Sequence, residues 1–123
     1  MPRYLLDTNS VIYFFNGEEK VAHIIEKPDT KICVSFITKI ELLCFASKDT
    51  HIAKKIEQFL NEIIILFPDE KVTRLAIDYR KNLKLKIPDA IICATAKAFR
   101  LTLVTADKEL LKKLKGVKII SPV

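Results

Sequence analysis

The chain has 123 residues, half of them apolar, with two glycines, five prolines and a formal net charge of +6. That length suits one domain of roughly 100–150 residues with a real core, and so little glycine and proline argues against disorder and against an all-β fold full of tight turns. The opening Met1-Pro2-Arg3-Tyr4-Leu5-Leu6-Asp7 meets an acid before it reaches the roughly 7–15 apolar residues of a signal peptide, and the longest apolar runs fall far short of the ~20 residues that span a bilayer, so a cytoplasmic protein with no membrane contact is expected.

Tyr4 to Asp7 reads as a first strand ending in a turn, and Val11 to Phe15 as a short helix. Glu19 to Lys27 carries Val21, Ile24 and Ile25 at helical spacing. Lys31 to Ser35 is a second strand. Ile37 to Ala46, apolar on most sides, should be a buried helix with Ile40, Leu42 and Leu43 inward. Asp49 to Asn61 shows an amphipathic stripe of Ile52, Ile56, Phe59 and Leu60. Ile63 to Phe67 is a third strand, stopped by Pro68. Asp69 caps the next helix, which carries Val72, Leu75, Ala76 and Tyr79 on one face. Pro88 suits the first turn of a helix running to about Phe99. Leu103 to Thr105 is a fourth strand. Asp107 to Lys115 is a short helix with Leu110, Leu111 and Leu114 inward, ended by Gly116. Lys118 to Ile120 is a last strand. Strands alternating with helices over short connections specify an α/β fold: a mainly parallel sheet covered by helices on both faces, as one domain over residues 1–123. In such sheets, sites form where the carboxyl ends of strands meet helix starts.

Cys33, Cys44 and Cys93 each lie in an apolar run and none forms a Cys-x-x-Cys pair, which reads as buried thiols in a reducing compartment. His23 and His51 have no partner at zinc spacing. The basic excess favours a polyanion partner, nucleic acid above all.

Of fifteen carboxylates, most stand in polar surroundings. Four do not. Asp7 follows Leu5-Leu6, Glu41 lies within Ile40-Glu41-Leu42-Leu43, Asp89 within Ile87-Pro88-Asp89-Ala90-Ile91, and Asp107 follows Leu103-Val104-Thr105-Ala106. Burying lone carboxylates is costly unless they are paired or bind a metal. Gathering several raises their pKa values unless a cation neutralises them. Four such acids with no matching base point to a divalent ion, and hard oxygen donors suit Mg²⁺ or Mn²⁺. Each acid also has a purely structural reading. Asp7 and Asp107 can cap helices, Thr38-x-x-Glu41 matches a capping box, and Asp89 suits the positive end of its helix. Asn9 could position Asp7 or a phosphate, or serve a turn. Thr105 could orient a ligand or a water, or simply suit a strand.

Taken in order, Leu6-Asp7-Thr8-Asn9-Ser10-Val11-Ile12, Ser35-Phe36-Ile37-Thr38-Lys39-Ile40-Glu41-Leu42, Ile87-Pro88-Asp89-Ala90-Ile91-Ile92-Cys93-Ala94-Thr95-Ala96 and Leu103-Val104-Thr105-Ala106-Asp107 resemble the four acidic motifs of PIN domains. The resemblance spans nearly the whole chain and is nearest to the VapC-type toxins of toxin–antitoxin pairs. It implies a three-layer α/β/α fold, dependence on Mg²⁺ or Mn²⁺, endonucleolytic RNA cleavage, a homodimer and a protein antitoxin. Asp7, Glu41 and Asp89 match the family's three core acids and Asp107 the fourth. The last motif departs from many such toxins, which carry an Asn and a later Asp-Phe; here Asp107 is followed by Lys108-Glu109-Leu110.

An acidic pocket repels RNA, so positive charge is needed around it. Arg80, Lys81, Lys84 and Lys86 run straight into Pro88-Asp89 and could grip phosphates, although a solvated helix face explains them too. Lys39 and Lys108 are weaker candidates, and Tyr13 is a possible stacking ring. A haloacid-dehalogenase-type phosphatase would want a second Asp where Asn9 stands. A receiver domain would want an acidic pair after the first strand, which is missing. The remaining alternative is a non-catalytic PIN-like module that binds RNA or protein.

Overall fold

The computed structural model describes residues 2–46 and 48–123. In chain order its elements are β1 (Arg3–Leu6), α1 (Thr8–Phe15), α2 (Glu19–Glu26), β2 (Lys31–Ser35), α3 (Phe36–Phe45), α4 (Thr50–Glu62), β3 (Ile64–Leu66), α5 (Glu70–Asn82), α6 (Ile87–Phe99), β4 (Thr102–Val104), α7 (Lys108–Lys113) and β5 (Ile119–Ile120). The strands form one sheet in the order β3-β2-β1-β4-β5, and every pairing is parallel.

Alternation along the central strands explains the layers. Leu5, Cys33 and Leu103 point to one face, where they pack with Ala90, Cys93 and Ala96 of α6 and Leu110 of α7. Leu6, Val34 and Val104 point to the other, against Val11, Val21, Leu42 and Ile56 of α1 to α4. Adjacent buried residues of the central strands therefore feed opposite cores, as the period of two requires. The expected α/β/α architecture is what the chain adopts. Among the described residues no helix is long and apolar enough to cross a membrane.

Leu103 is fully buried and sits in the strand between β1 and β5. Leu103→Ala should cost about 2–5 kcal/mol, because the hole it leaves cannot fully collapse. Urea unfolding of the two proteins would measure it.

Three apolar residues expected inside face water. Ile40 is 53% exposed and Leu111 62%. Ile40 stands two residues from buried Leu42, about 200° around the helix. Leu111 is one residue off the Leu110–Leu114 stripe that meets the core. Ile52 lies one turn before Ile56, at the uncovered start of α4, and is 39% exposed. Cys44 is also exposed, so only Cys33 and Cys93 are the buried thiols expected. The last helix stops at Lys113 with Leu114 as its cap; Gly116, at φ +72, turns the loop that follows.

Candidate functional site

β1 and β4 are parallel neighbours, so the residues that follow them leave the sheet at the same edge. Because β2 lies on the other side of β1, connections diverge here, which opens the crevice where parallel sheets take ligands. Asp7 follows β1 directly and caps α1; its Oδ1 accepts from the Ser10 N–H at 2.8 Å. This cap starts α1 at Thr8, three residues before the apolar run expected to begin it. The buried Ser10 hydroxyl donates to the Val104 carbonyl at 2.8 Å and ties α1 to the end of β4. Beyond β4, the buried Thr105 Oγ1 accepts from the Asp107 N–H at 3.1 Å and sets the turn. Asp107 then caps α7, its Oδ1 accepting from the Glu109 N–H at 2.9 Å. Asp89 comes from the first turn of α6, after Pro88. Asp7, Asn9, Tyr13, Asp89 and Asp107 line one cavity of about 360 Å³, with Ile92 and Leu110 as its apolar wall.

Glu41 reaches this region by another route. The capping box with Thr38 is not made: Ser35 caps α3, its Oγ accepting from the Ile37 N–H at 3.2 Å, and Glu41 falls in the second turn. Instead, Thr8 Oγ1 lies 2.6 Å from Glu41 Oε1 and 3.2 Å from Oγ1 of the buried Thr38. A hydroxyl has one proton to donate. The short contact to a carboxylate takes that of Thr8, so Thr38 donates to Thr8 and Thr8 to Glu41. Thr8 therefore aims an exposed glutamate across the gap between α1 and α3. Neither Thr8 nor Thr38 stood out in the sequence. Their only signal was Thr8 beside Asp7 and Thr38 one helical turn before Glu41.

The acids share one electrostatic field. Burial pushes the Asp89 carboxyl above its ordinary value, and the charges of Asp107, Glu41 and Asp7 push it further, with Lys86 offsetting only part. Burial also raises Asp7, while hydrogen bonding to Ser10 and Thr105 draws it partway back and Asp107 adds to the rise. Cys93, one turn after Asp89, is pushed up to about 12 by burial first and then by Asp89, Asp7 and Asp107. It is an inert thiol beneath the site. Among the described residues the ion pair that forms is Arg74–Glu70, at the start of α5, and none involves these four acids.

Burial is less even than the sequence suggested. Asp7 and Asp89 are half-buried, whereas Glu41 and Asp107 are exposed. Among the described residues no three His, Cys, Asp or Glu side chains close on one point as a ready-made cage. Asp7, Asp89 and Asp107 line the cavity instead, while Glu41 stands outside that lining, held by Thr8. The donor set nevertheless fits a hard cation: oxygens only, mutually repelling, partly desolvated and without a paired base.

The bases singled out in the sequence are not part of that wall. Arg80 donates to the Leu85 carbonyl at 3.0 Å and clips the loop before α6. Arg80 and Lys81 border a separate apolar cavity between α5 and α6. Lys84 sits at φ +56 in the loop, and Lys86 acts on Asp89 through its charge.

The sequence matches the PIN domain family model over residues 4–116. The chain belongs to the PIN domain family. No curated protein matches it in sequence. Among solved structures, this PIN domain is similar to a chain of a toxin–antitoxin complex from Klebsiella pneumoniae, with 29% identity, a TM-score of 0.83 and 98% of each chain covered. It shares its fold with chains of the DNA-bound VapBC of Salmonella typhimurium (22% identity, TM-score 0.86, 100% of each chain). The same holds for VapBC2 of Rickettsia felis, bound to a promoter DNA fragment (23% identity, TM-score 0.83, 97% of this chain and 98% of that chain).

Proposed function

We propose that the chain is a Mg²⁺- or Mn²⁺-dependent endoribonuclease that hydrolyses RNA phosphodiester bonds, and the toxin of a type II toxin–antitoxin pair. The observation that carries this reading is the gathering of carboxylates at the strand-end crevice of a PIN domain, where the charges of Asp107, Glu41 and Asp7 all bear on Asp89 and, among the described residues, no base forms an ion pair with them. Asp7, Glu41, Asp89 and Asp107 would hold the ion. Bound there, it would supply Lewis-acid stabilisation of the charge that builds on the phosphate during in-line attack.

The chain's own groups prepare the site. The caps at Asp7 and Asp107 hold their carboxylates at the cavity while leaving the second oxygen of each free of those bonds. Thr8 holds Glu41. Asn9 and Tyr13 line the same cavity, within reach of a substrate phosphate or base placed there. Ile92 and Leu110 give it a dry wall, which strengthens every charge interaction inside. Lys86, and more loosely Arg80, Lys81 and Lys84, add positive charge on the approach along the loop before α6. By analogy with the family the motifs resemble, the products would be 5′-phosphate and 3′-hydroxyl ends. The likeness to a chain of a toxin–antitoxin complex supports an antitoxin partner. A homodimer belongs to the same reading, and sedimentation would show a mass twice that of the 14.1 kDa chain.

Total cellular RNA incubated with the purified protein tests the activity. Discrete fragments with Mg²⁺ or Mn²⁺, and none with chelator, are the expected result. Intact RNA under all three conditions would leave a PIN-shaped binding module as the better account.

A further inference from the structure

We propose that a pocket between the start of α5, the end of α6 and the β4–β5 edge is a second phosphate-binding surface, gripping an RNA strand away from the acidic site. The inference rests on the RNA-cleaving reading above. Lys71, Lys97, Arg100 and Lys118 line a cavity of about 480 Å³ whose wall, among the described residues, contains no carboxylate. It lies at the amino ends of the strands, beside Thr102, whereas Asp7 and Asp107 follow the carboxyl ends. Helix α6 joins the two places. Asp89 is in its first turn and Arg100 is its terminal cap, about 16 Å apart at 1.5 Å per residue.

Local needs explain only part of this charge. Lys97 Nζ sits 3.5 Å from the Gly116 carbonyl, and nearby Arg3 donates to the Phe99 carbonyl at 3.2 Å; both suit the negative end of α6. Lys71 does not, because it lies in the first turn of α5, where a cation opposes the helix dipole. Among the described residues, Lys71, Arg100 and Lys118 donate no side-chain hydrogen bond and pair with no carboxylate.

Two backbone features hold the pocket in shape. Arg100 caps α6 at φ 56, ψ 50, the left-handed conformation usually left to glycine. Strain of that kind persists where the surrounding structure imposes it, often at binding sites. Gly116, beside the Lys97 ammonium, has φ +72, a backbone conformation that glycine adopts without strain. Among the described residues no aromatic side chain lines the cavity, which suits phosphates rather than stacked bases and makes the grip independent of sequence.

The test is the salt dependence of binding. A labelled, unstructured RNA oligonucleotide is titrated with the full chain in chelator, so that nothing is cut. For the Lys71→Gln/Lys118→Gln double variant, binding at low salt should weaken. The slope of log K against log salt should shrink by about 1.4, or 0.7 for each lost phosphate contact on a single strand. Arg100→Gly should melt at a higher temperature than wild type, through release of strain, and yet bind RNA more weakly. Affinity and slope equal to wild type in both variants would overturn the proposal, as would a wild type that binds no RNA. A wild type that binds with this salt dependence but cleaves nothing would sink the nuclease reading and leave the surface standing. A wild type that cleaves, with variants that bind as it does, would sink the surface alone.

Discussion

Replacing Asp89 by asparagine is expected to lower metal-dependent RNA cleavage by more than the ~10²-fold that loss of an outer partner of a metal ligand costs. The same change should make the ion-free protein more stable at neutral pH. Burial and three neighbouring acids bind the Asp89 proton more tightly in the folded chain than in the unfolded one. Between the ordinary value of 3.8 and the raised folded value, the folded state carries more protons, so stability falls as pH rises through that window. Above it the loss is complete. Asparagine removes the loss, so Asp89→Asn should melt above wild type at pH 7, with the gap closing as pH falls toward 3.8. Asp7→Asn should behave alike, because asparagine is as good a helix cap as aspartate and the Asp7 carboxyl is also raised by burial. Added Mn²⁺ should reverse the order. An ion at one hundred times its Kd stabilises the protein that binds it by about 2.7 kcal/mol. Melting curves across pH, with and without the ion, would show both effects.

The second large effect is expected at Thr8. Its hydroxyl is the visible restraint on Glu41, an exposed side chain with many other rotamers open to it. Thr8→Ala should reduce Mn²⁺ affinity and cleavage by about 10–100-fold, the range seen for partners that orient metal ligands. Thr8→Ser keeps the hydroxyl and should recover most of both. Loss of stability without loss of ion affinity in Thr8→Ala would reduce Thr8 to a residue of the α1–α3 contact.

Which parts of this could be seen in the sequence follows from range. Asp7, Asp89 and Asp107 were legible because each ends a strand or opens a helix, and such boundaries are written in local composition. The consecutive apolar residues Leu5-Leu6, Cys33-Val34 and Leu103-Val104 mark strands buried on both faces, although they do not say which helix covers which face. Glu41 was visible as an acid among apolar neighbours, but its apolar company misled about burial. Ile40 points outward beside it, so the run is not a buried helix on every side. Thr8 escaped notice because its role exists only once α1 lies against α3, thirty residues on. Arg80 looked like a phosphate contact from its place in a basic run; the fold turns it onto the Leu85 carbonyl. Lys71, Lys97, Arg100 and Lys118 are scattered over nearly fifty positions, and only the sheet brings them to one pocket.

Asp7 and Asp107 do cap helices, and Asp89 does stand at the positive end of one. The central claim is that these acids, with Glu41, also form a cation centre. Calorimetric titration of Mn²⁺ into the ion-free wild type, beside Asp7→Asn and Asp89→Asn, tests it most directly. Saturable binding by the wild type, lost in both folded variants, is the predicted result. Equal heats in all three proteins, or none in the wild type, would contradict the claim and leave the acids as helix caps and a surface glutamate.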